Sequence, residues 1–204
     1  RPDGPYYRGR SAVAAARDGA TLEDIARLLW DCGSQDPFAD PPGDWPASIA
    51  PLAGDAELPP LSRAMAAIPL LALHVPHSFQ ADQPTRHAVA ATLLRQNAAL
   101  LVARHPAGPV HHLLGEAWRP GDAGFAELVR AALVLCADHE LNVSAFAARV
   151  VASTGAHLHA TVCAGLAALS GPRHGGATAR AWALIEAARD SRDLGRTIAS
   201  RWRR

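Results

Sequence analysis

Two consecutive stretches built almost wholly of small and aliphatic residues, Ala145 to Thr154 and His157 to Ser170, constrain this chain more than any other feature. Ser144 is an expected N-cap for the first, and Gly155 breaks the chain between them. Ala152, Ser153, Ala160, Ala164, Gly165, Ala167 and Ala168 are too small to hold two helices apart, so a closely approaching helix pair is expected. A sheet is a poor alternative, because strands bury β-branched and aromatic side chains. Although 49% of the chain is apolar, only 5% is aromatic, and the core must come from Ala, Leu and Val. The expected fold class is all-α.

The first candidate site lies directly after this helix pair. Gly171-Pro172 stops the apolar helix and Gly175-Gly176 lets the chain turn tightly before a run from Ala177 to Arg189. His174 is therefore expected at or just before a helix N-terminus. Unpaired N–H groups there disfavour imidazolium, and a neutral ring can donate to a carbonyl oxygen and stabilise an enolate. His139 has the opposite placement. Asp122 to Asp138 reads as a helix with Phe125, Leu128, Val129, Ala132, Leu133, Leu135 and Cys136 on an apolar face, and His139 falls at its C-terminal end. That pole, with Asp138 and Glu140 beside it, favours a cation suited to an anionic substrate. Two hydrogen-bonded core histidines would be the plainer reading, but the flanking Gly-Pro and Gly-Gly argue against it.

Ala137-Asp138-His139-Glu140-Leu141-Asn142-Val143-Ser144, followed by Gly171 to Ala177, resembles the A-D-H-E-x-N-x-S and G-P-x-H-G-G-A motifs of the citrate synthase family. Tyr7-Arg8-Gly9 and the helix Thr21 to Trp30 are similar to the family's leading R-G and F-E-E-V-A-x-L-L-W region. The resemblance implies an all-helical homodimer that condenses acetyl-CoA with oxaloacetate to give citrate and CoA, with no tightly bound cofactor; the unpaired cysteines add the expectation of a cytoplasmic protein. By the same resemblance His174 matches the histidine that bonds the acetyl thioester oxygen, His139 one that contacts oxaloacetate, and Asn142 a residue lining that pocket. No CoA-binding residue is assigned.

The sequence departs from the family in two respects. Thr178 stands where many members carry Asn. The family's G-x-G-H histidine, proton-abstracting aspartate and carboxylate-clamping arginines are not found within residues 1–204. A large helical domain is thus expected, with the small C-terminal domain absent or truncated and the fragment inactive alone. The missing initiator Met leads to the expectation that a segment precedes Arg1. Two alternatives stay open: a 2-methylcitrate synthase using propionyl-CoA, because one methylene is decided by pocket residues, and a non-catalytic dimeric module that binds a metabolite.

Residues 1–204 read as one domain. Residues 1–20 are expected to be an extended leading segment, with Pro2, Gly4 and Pro5 blocking a helix. Thr21 caps the first expected helix, and residues 33–60, rich in Pro, Gly and Asp, read as a loop with one short turn near Ala47 to Leu52. Leu61 to His74 is expected to be helical but broken or kinked at Pro69. Thr85 caps a helix reaching about His105, with Arg86, Arg95 and Arg104 towards solvent, and Pro109 begins another ending near Trp118. His111 and His112 are expected to point apart as ordinary polar contacts.

Several function classes are disfavoured. Twenty basic residues, all Arg, against 19 acidic ones give a net charge of +1, which makes no case for nucleic acid from this region. The absence of Lys excludes a lysine Schiff base. Cys32, Cys136 and Cys163 lack metal-ligand spacing and read as buried free thiols. His74 and His77, in His-Val-Pro-His, have no third ligand, so no metal is expected. His157 and His159 cannot share a helical ligand face and read as structural or dimer-contact residues. No apolar run approaches the roughly 20 residues of a membrane span, and no signal peptide is found.

Overall fold

A computed structural model describes residues 4–75, 82–138 and 142–189, together with 195, 196 and 198. The described chain is mostly helical, as the small-residue composition favours. Its one sheet is a two-residue hairpin, β1 (Tyr6–Tyr7) against β2 (Arg10–Ser11), turning through Arg8 and Gly9 at positive φ. Residues 1–20 are therefore not extended throughout. Ser11 caps a six-residue helix, α1 (Ala12–Arg17), which buries Ala12 and Ala16.

Helix α2 (Leu22–Trp30) starts from a capping box in which Thr21 and Asp24 satisfy each other's backbone N–H. The expected turn in the Pro-rich loop is a short helix, α3 (Ala50–Gly54). Helix α4 (Pro60–Leu71) runs through Pro69 instead of breaking there, and tightens to a single 3-10 turn over Ala72–His74. The long α5 (Gln83–Leu101) is capped by Asp82, whose side chain accepts from the Thr85 backbone, so the expected cap was three residues late. Arg95 does not reach for solvent: it donates to the Phe38 and Asp40 carbonyls and lies over the Phe38 ring.

Helix α6 (Val110–Trp118) follows Pro109, and α7 (Ala123–Leu135) follows Asp122. These two touch at Gly115, where a Cβ would stand 2.8 Å from that of Ala126. The His111 and His112 rings lie 4.2 Å apart in contact, and His111 is buried. Helix α7 ends at Leu135, short of the expected Asp138, which leaves Cys136 exposed rather than buried.

The small-residue pair forms α8 (Val143–Ser153) and α9 (Leu158–Leu169), packed on each other, with α9 also against α4 and α5. Leu166 joins Ile49, Ile68, Leu71, Leu93 and Leu100 in the largest core cluster. Gly165 gives the close approach to α8; Ala160, Ala164 and Ala168 are half-buried, whereas Ala152, Ser153 and Ala167 are exposed. The final described helix is α10 (Gly176–Arg189).

Two buried polar residues tie the layers together. Tyr7 donates its hydroxyl to the Val134 and Leu135 carbonyls, at 2.9 and 3.0 Å, so the hairpin holds the end of α7. Arg63, on α4, donates to the Leu100 and Leu101 carbonyls at the end of α5 and to those of Asp55 and Leu58. Both reinforce carbonyls in the last turn of a helix, where the regular ladder of backbone bonds runs out.

Candidate functional site

The break after α9 is a compact turn closed on itself. Gly175 N–H donates to the Leu169 carbonyl at 3.1 Å, Gly176 N–H to Gly171 at 3.2 Å, and His174 N–H to Gly171 at 3.0 Å. Gly175 is required by space rather than by φ, since a Cβ there would collide with the Leu169 carbonyl oxygen. Arg180, one turn into α10, donates to the Pro172 carbonyl at 3.1 Å and clasps the turn from outside. His174 is thus fixed two residues ahead of the first residue of α10, where the sequence places it.

Its ring is fixed too. His174 Nε2 lies 2.8 Å from Ser144 Oγ, in the first turn of α8. Ser144 is free for this because it is not the helix cap. The Asn142 side chain accepts from the Ala145 backbone at 2.9 Å and does that work. Ser144 stands two residues after Asn142, the residue that caps α8, so the expected cap role of Ser144 is not the one it has.

Gly165 completes the junction between the helices. A Cβ at Gly165 would stand 3.5 Å from the Ser144 carbonyl and 3.8 Å from Ala148 Cβ, so α9 presents bare backbone to the start of α8. Between the two helices lies a cleft of about 390 Å³ whose lining includes His174, Ser144, Asn142, Val162, Leu166 and Leu169. Its walls are mainly hydrocarbon, and an imidazole, a hydroxyl and an amide are its side-chain polar groups. With Nε2 engaged by Ser144, His174 Nδ1 is the ring nitrogen left to meet a ligand.

Of the three expected site residues, His174 and Asn142 line one cleft. His139 lies outside the described residues, as does His77. His74 lies 3.3 Å from Ser48 Oγ through its Nε2. His157 is the N-cap of α9, its Nδ1 accepting from Ala160 N–H at 3.2 Å, which gives it a structural role. Among the described residues no group of three or more His, Cys, Asp or Glu is placed to hold a metal ion. No described helix is long and apolar enough to cross a membrane.

Comparison with known proteins agrees with the motifs and the helices. The family model described as citrate synthase, C-terminal domain, matches residues 48–204. A putative citrate synthase 2 of Mycobacterium tuberculosis is 41% identical over 83 residues, 39% of this chain and 22% of that protein. A 2-methylcitrate synthase of Shewanella oneidensis is 46% identical over 61 residues, 30% of this chain and 16% of that protein. Among solved structures, citrate synthase from Thermoplasma acidophilum, in complex with carboxymethyl coenzyme A and oxaloacetate, superposes with a TM-score of 0.72 at 22% identity. That superposition covers 97% of this chain and 56% of the other, so the chain spans about half the length of its structural relative.

Proposed function

Because the chain belongs to the citrate synthase family, we propose that it carries part of a site in which acetyl-CoA condenses with oxaloacetate to give citrate and CoA. The observation that supports this reading is the hydrogen bond between Ser144 and His174 at the end of a largely apolar cleft. A thioester α-carbon is a weak acid, and removing its proton places charge on the thioester oxygen. His174 donates from Nδ1 to that oxygen, and Ser144, donating to Nε2, holds the ring in the tautomer this requires. The enol carbon then attacks the ketone carbon of oxaloacetate, and water cleaves the thioester to release CoA. His139 contacts oxaloacetate, and Asn142 lines the same pocket.

The proton-abstracting group and the donor to the ketone are not assigned to any residue of 1–204. Asp138 flanks His139 and is not given the role of base. The chain by itself is accordingly expected not to turn over. The hydrocarbon walls of Val162, Leu166 and Leu169 beside His174 favour one further reading within the same chemistry, propionyl-CoA as the acyl donor to give 2-methylcitrate.

The active unit is a homodimer in this proposal. Val143, Phe146 and Val150 recur along the outer face of α8 with more than half their surface exposed, Phe146 at 58%, and Leu128 on α7 is 68% exposed. Such a stripe is suited to a second copy of the same surface.

Calorimetric titration of the chain with carboxymethyl coenzyme A, beside a CoA-release assay with acetyl-CoA, propionyl-CoA and oxaloacetate, tests the reading. Saturable binding without turnover is expected. Absence of binding removes the condensation site, and citrate formed by residues 1–204 alone would show that a base lies within them.

A further inference from the structure

The leading hairpin has no part in the condensation chemistry, yet its buried tyrosine reaches the segment that leads into His139. Tyr7 is 2% exposed and belongs to the apolar cluster of Ala12, Ala16, Ile25 and Val134. Its hydroxyl proton is shared between the Val134 and Leu135 carbonyls, and the backbone N–H groups of Asp138 and Ala137 hydrogen-bond to the same oxygen. A phenol has one proton and two lone pairs, so the hydroxyl is fully engaged. The hairpin is held from its other side as well, because Arg8 donates to the Leu29 carbonyl near the end of α2 and pairs with Asp31. No glycine or proline directly follows Leu135 to turn the chain out of α7. The Tyr7 hydroxyl is instead the fixed point from which Asp138 departs. Three positions, 139 to 141, then separate Asp138 from Asn142, which is anchored by its own bond to the Ala145 N–H.

We propose that Tyr7 is a positioning residue for the ketoacid side of the site: its hydroxyl fixes the Asp138 backbone and thereby sets where the next residue, His139, meets oxaloacetate. The proposal rests on the reading that His139 contacts oxaloacetate. Tyr7 itself is sealed beneath the hairpin and acts only through the chain it holds. The planar peptide keeps consecutive Cα atoms about 3.8 Å apart, so a displacement at Asp138 is passed on to the residue after it. A hydrogen bond from an imidazole to a carboxylate or keto oxygen weakens steeply as its angle and distance depart from the optimum. Misplacing a positioning group by about 1 Å can cost about a hundredfold in rate. Tyr7→Phe isolates this role, because it keeps the ring in its apolar cluster and removes only the hydroxyl.

The test is NMR of the isotope-labelled 204-residue chain carrying Tyr7→Phe, with Asp82→Ala as the control. Asp82 caps α5, so its loss weakens the fold without touching the hairpin. Without ligand, Tyr7→Phe is expected to move the His139 ring signals and Asp82→Ala to leave them in place. With oxaloacetate, the His139 signals of the original chain should shift saturably. Tyr7→Phe should then bind roughly tenfold more weakly, and Asp82→Ala as tightly as the original. Should Tyr7→Phe disturb folding, 3-fluorotyrosine at position 7, which alters only the strength of the hydroxyl as a donor, is expected to move the same signals. Ring signals that ignore the change at position 7, or that move alike in Asp82→Ala, would make Tyr7 a structural tie only, as would unweakened oxaloacetate binding by Tyr7→Phe. Each of these overturns the proposal and leaves the condensation reading standing. Ring signals that respond to Tyr7→Phe but not to oxaloacetate in the original chain would show that His139 makes no such contact, and the proposal falls with that reading.

Discussion

Ser144 Oγ and His174 Nε2 lie 2.8 Å apart, joining the start of α8 to the turn ahead of α10 across thirty positions of sequence. The bond exists because a neighbouring residue takes over the helix cap. Asn142 satisfies the Ala145 N–H, and the serine that would otherwise turn back to its own backbone points across to α9 and the turn beyond it.

That division of labour separates two substitutions. Asn142→Ala should cost about 1 kcal/mol through the lost cap and lower Tm by roughly 2–4 °C in a chain of this size. Ser144→Ala should cost a similar amount through the lost bond to His174 but leave the first turn of α8 capped. Amide hydrogen exchange at Ala145 distinguishes the two: faster exchange is expected in Asn142→Ala alone, and equal acceleration in both would contradict the assignment of the cap.

Gly175 admits no side chain because the Leu169 carbonyl occupies the position its Cβ would take. Gly175→Ala should therefore open the turn that holds His174 and destabilise the chain by about 2 kcal/mol. Urea denaturation measures the loss. The same change at Gly155, where nothing lies within 4 Å but φ is +81°, should cost only the backbone strain, about 1 kcal/mol.

Tyr7→Phe should remove the hydroxyl that serves the Val134 and Leu135 carbonyls and leave helix-end acceptors without it. A loss of about 1–2 kcal/mol is expected. Faster amide hydrogen exchange confined to the last turn of α7 would locate the effect, and unchanged exchange there would contradict it.

Acid should destabilise the fold through its buried histidines. Burial lowers the His159 pKa from 6.5 to about 4. Burial first, and then the neighbouring His112, also lower that of His111. Between those values the unfolded chain binds protons that the folded chain refuses, so stability is full above pH 6.5 and falls as pH drops towards 4. His159 alone accounts for up to about 3 kcal/mol of that fall. Urea midpoints between pH 7 and 4.5 should show it, and His159→Phe should flatten the profile.

The sequence made the helix pair and the His174 turn legible because both rest on local chemistry: small residues, Gly-Pro and Gly-Gly dictate backbone behaviour wherever they occur. What it hid was decided by distant partners. Asn142 and Ser144 are both good caps, and only a ring thirty positions away selects between them. Helix α1 is six residues long and depends on burying Ala12 and Ala16 beneath Tyr7, so its own periodicity carries too little signal. Adjacent His111 and His112 should diverge on an ideal helix, yet their rings meet at 4.2 Å. Cys136 is exposed because α7 ends at Leu135, an end marked by the Tyr7 hydroxyl rather than by a local stop signal.

The central claim is that His174, held by Ser144, presents Nδ1 to an acyl thioester oxygen. Nitrogen NMR of histidine-labelled chain titrated with carboxymethyl coenzyme A reads that atom directly. The account predicts a saturable shift of the His174 ring signals and roughly tenfold weaker binding in Ser144→Ala; ring signals that stay unmoved while the ligand binds, or a Ser144→Ala variant that binds as tightly as the original, would contradict it.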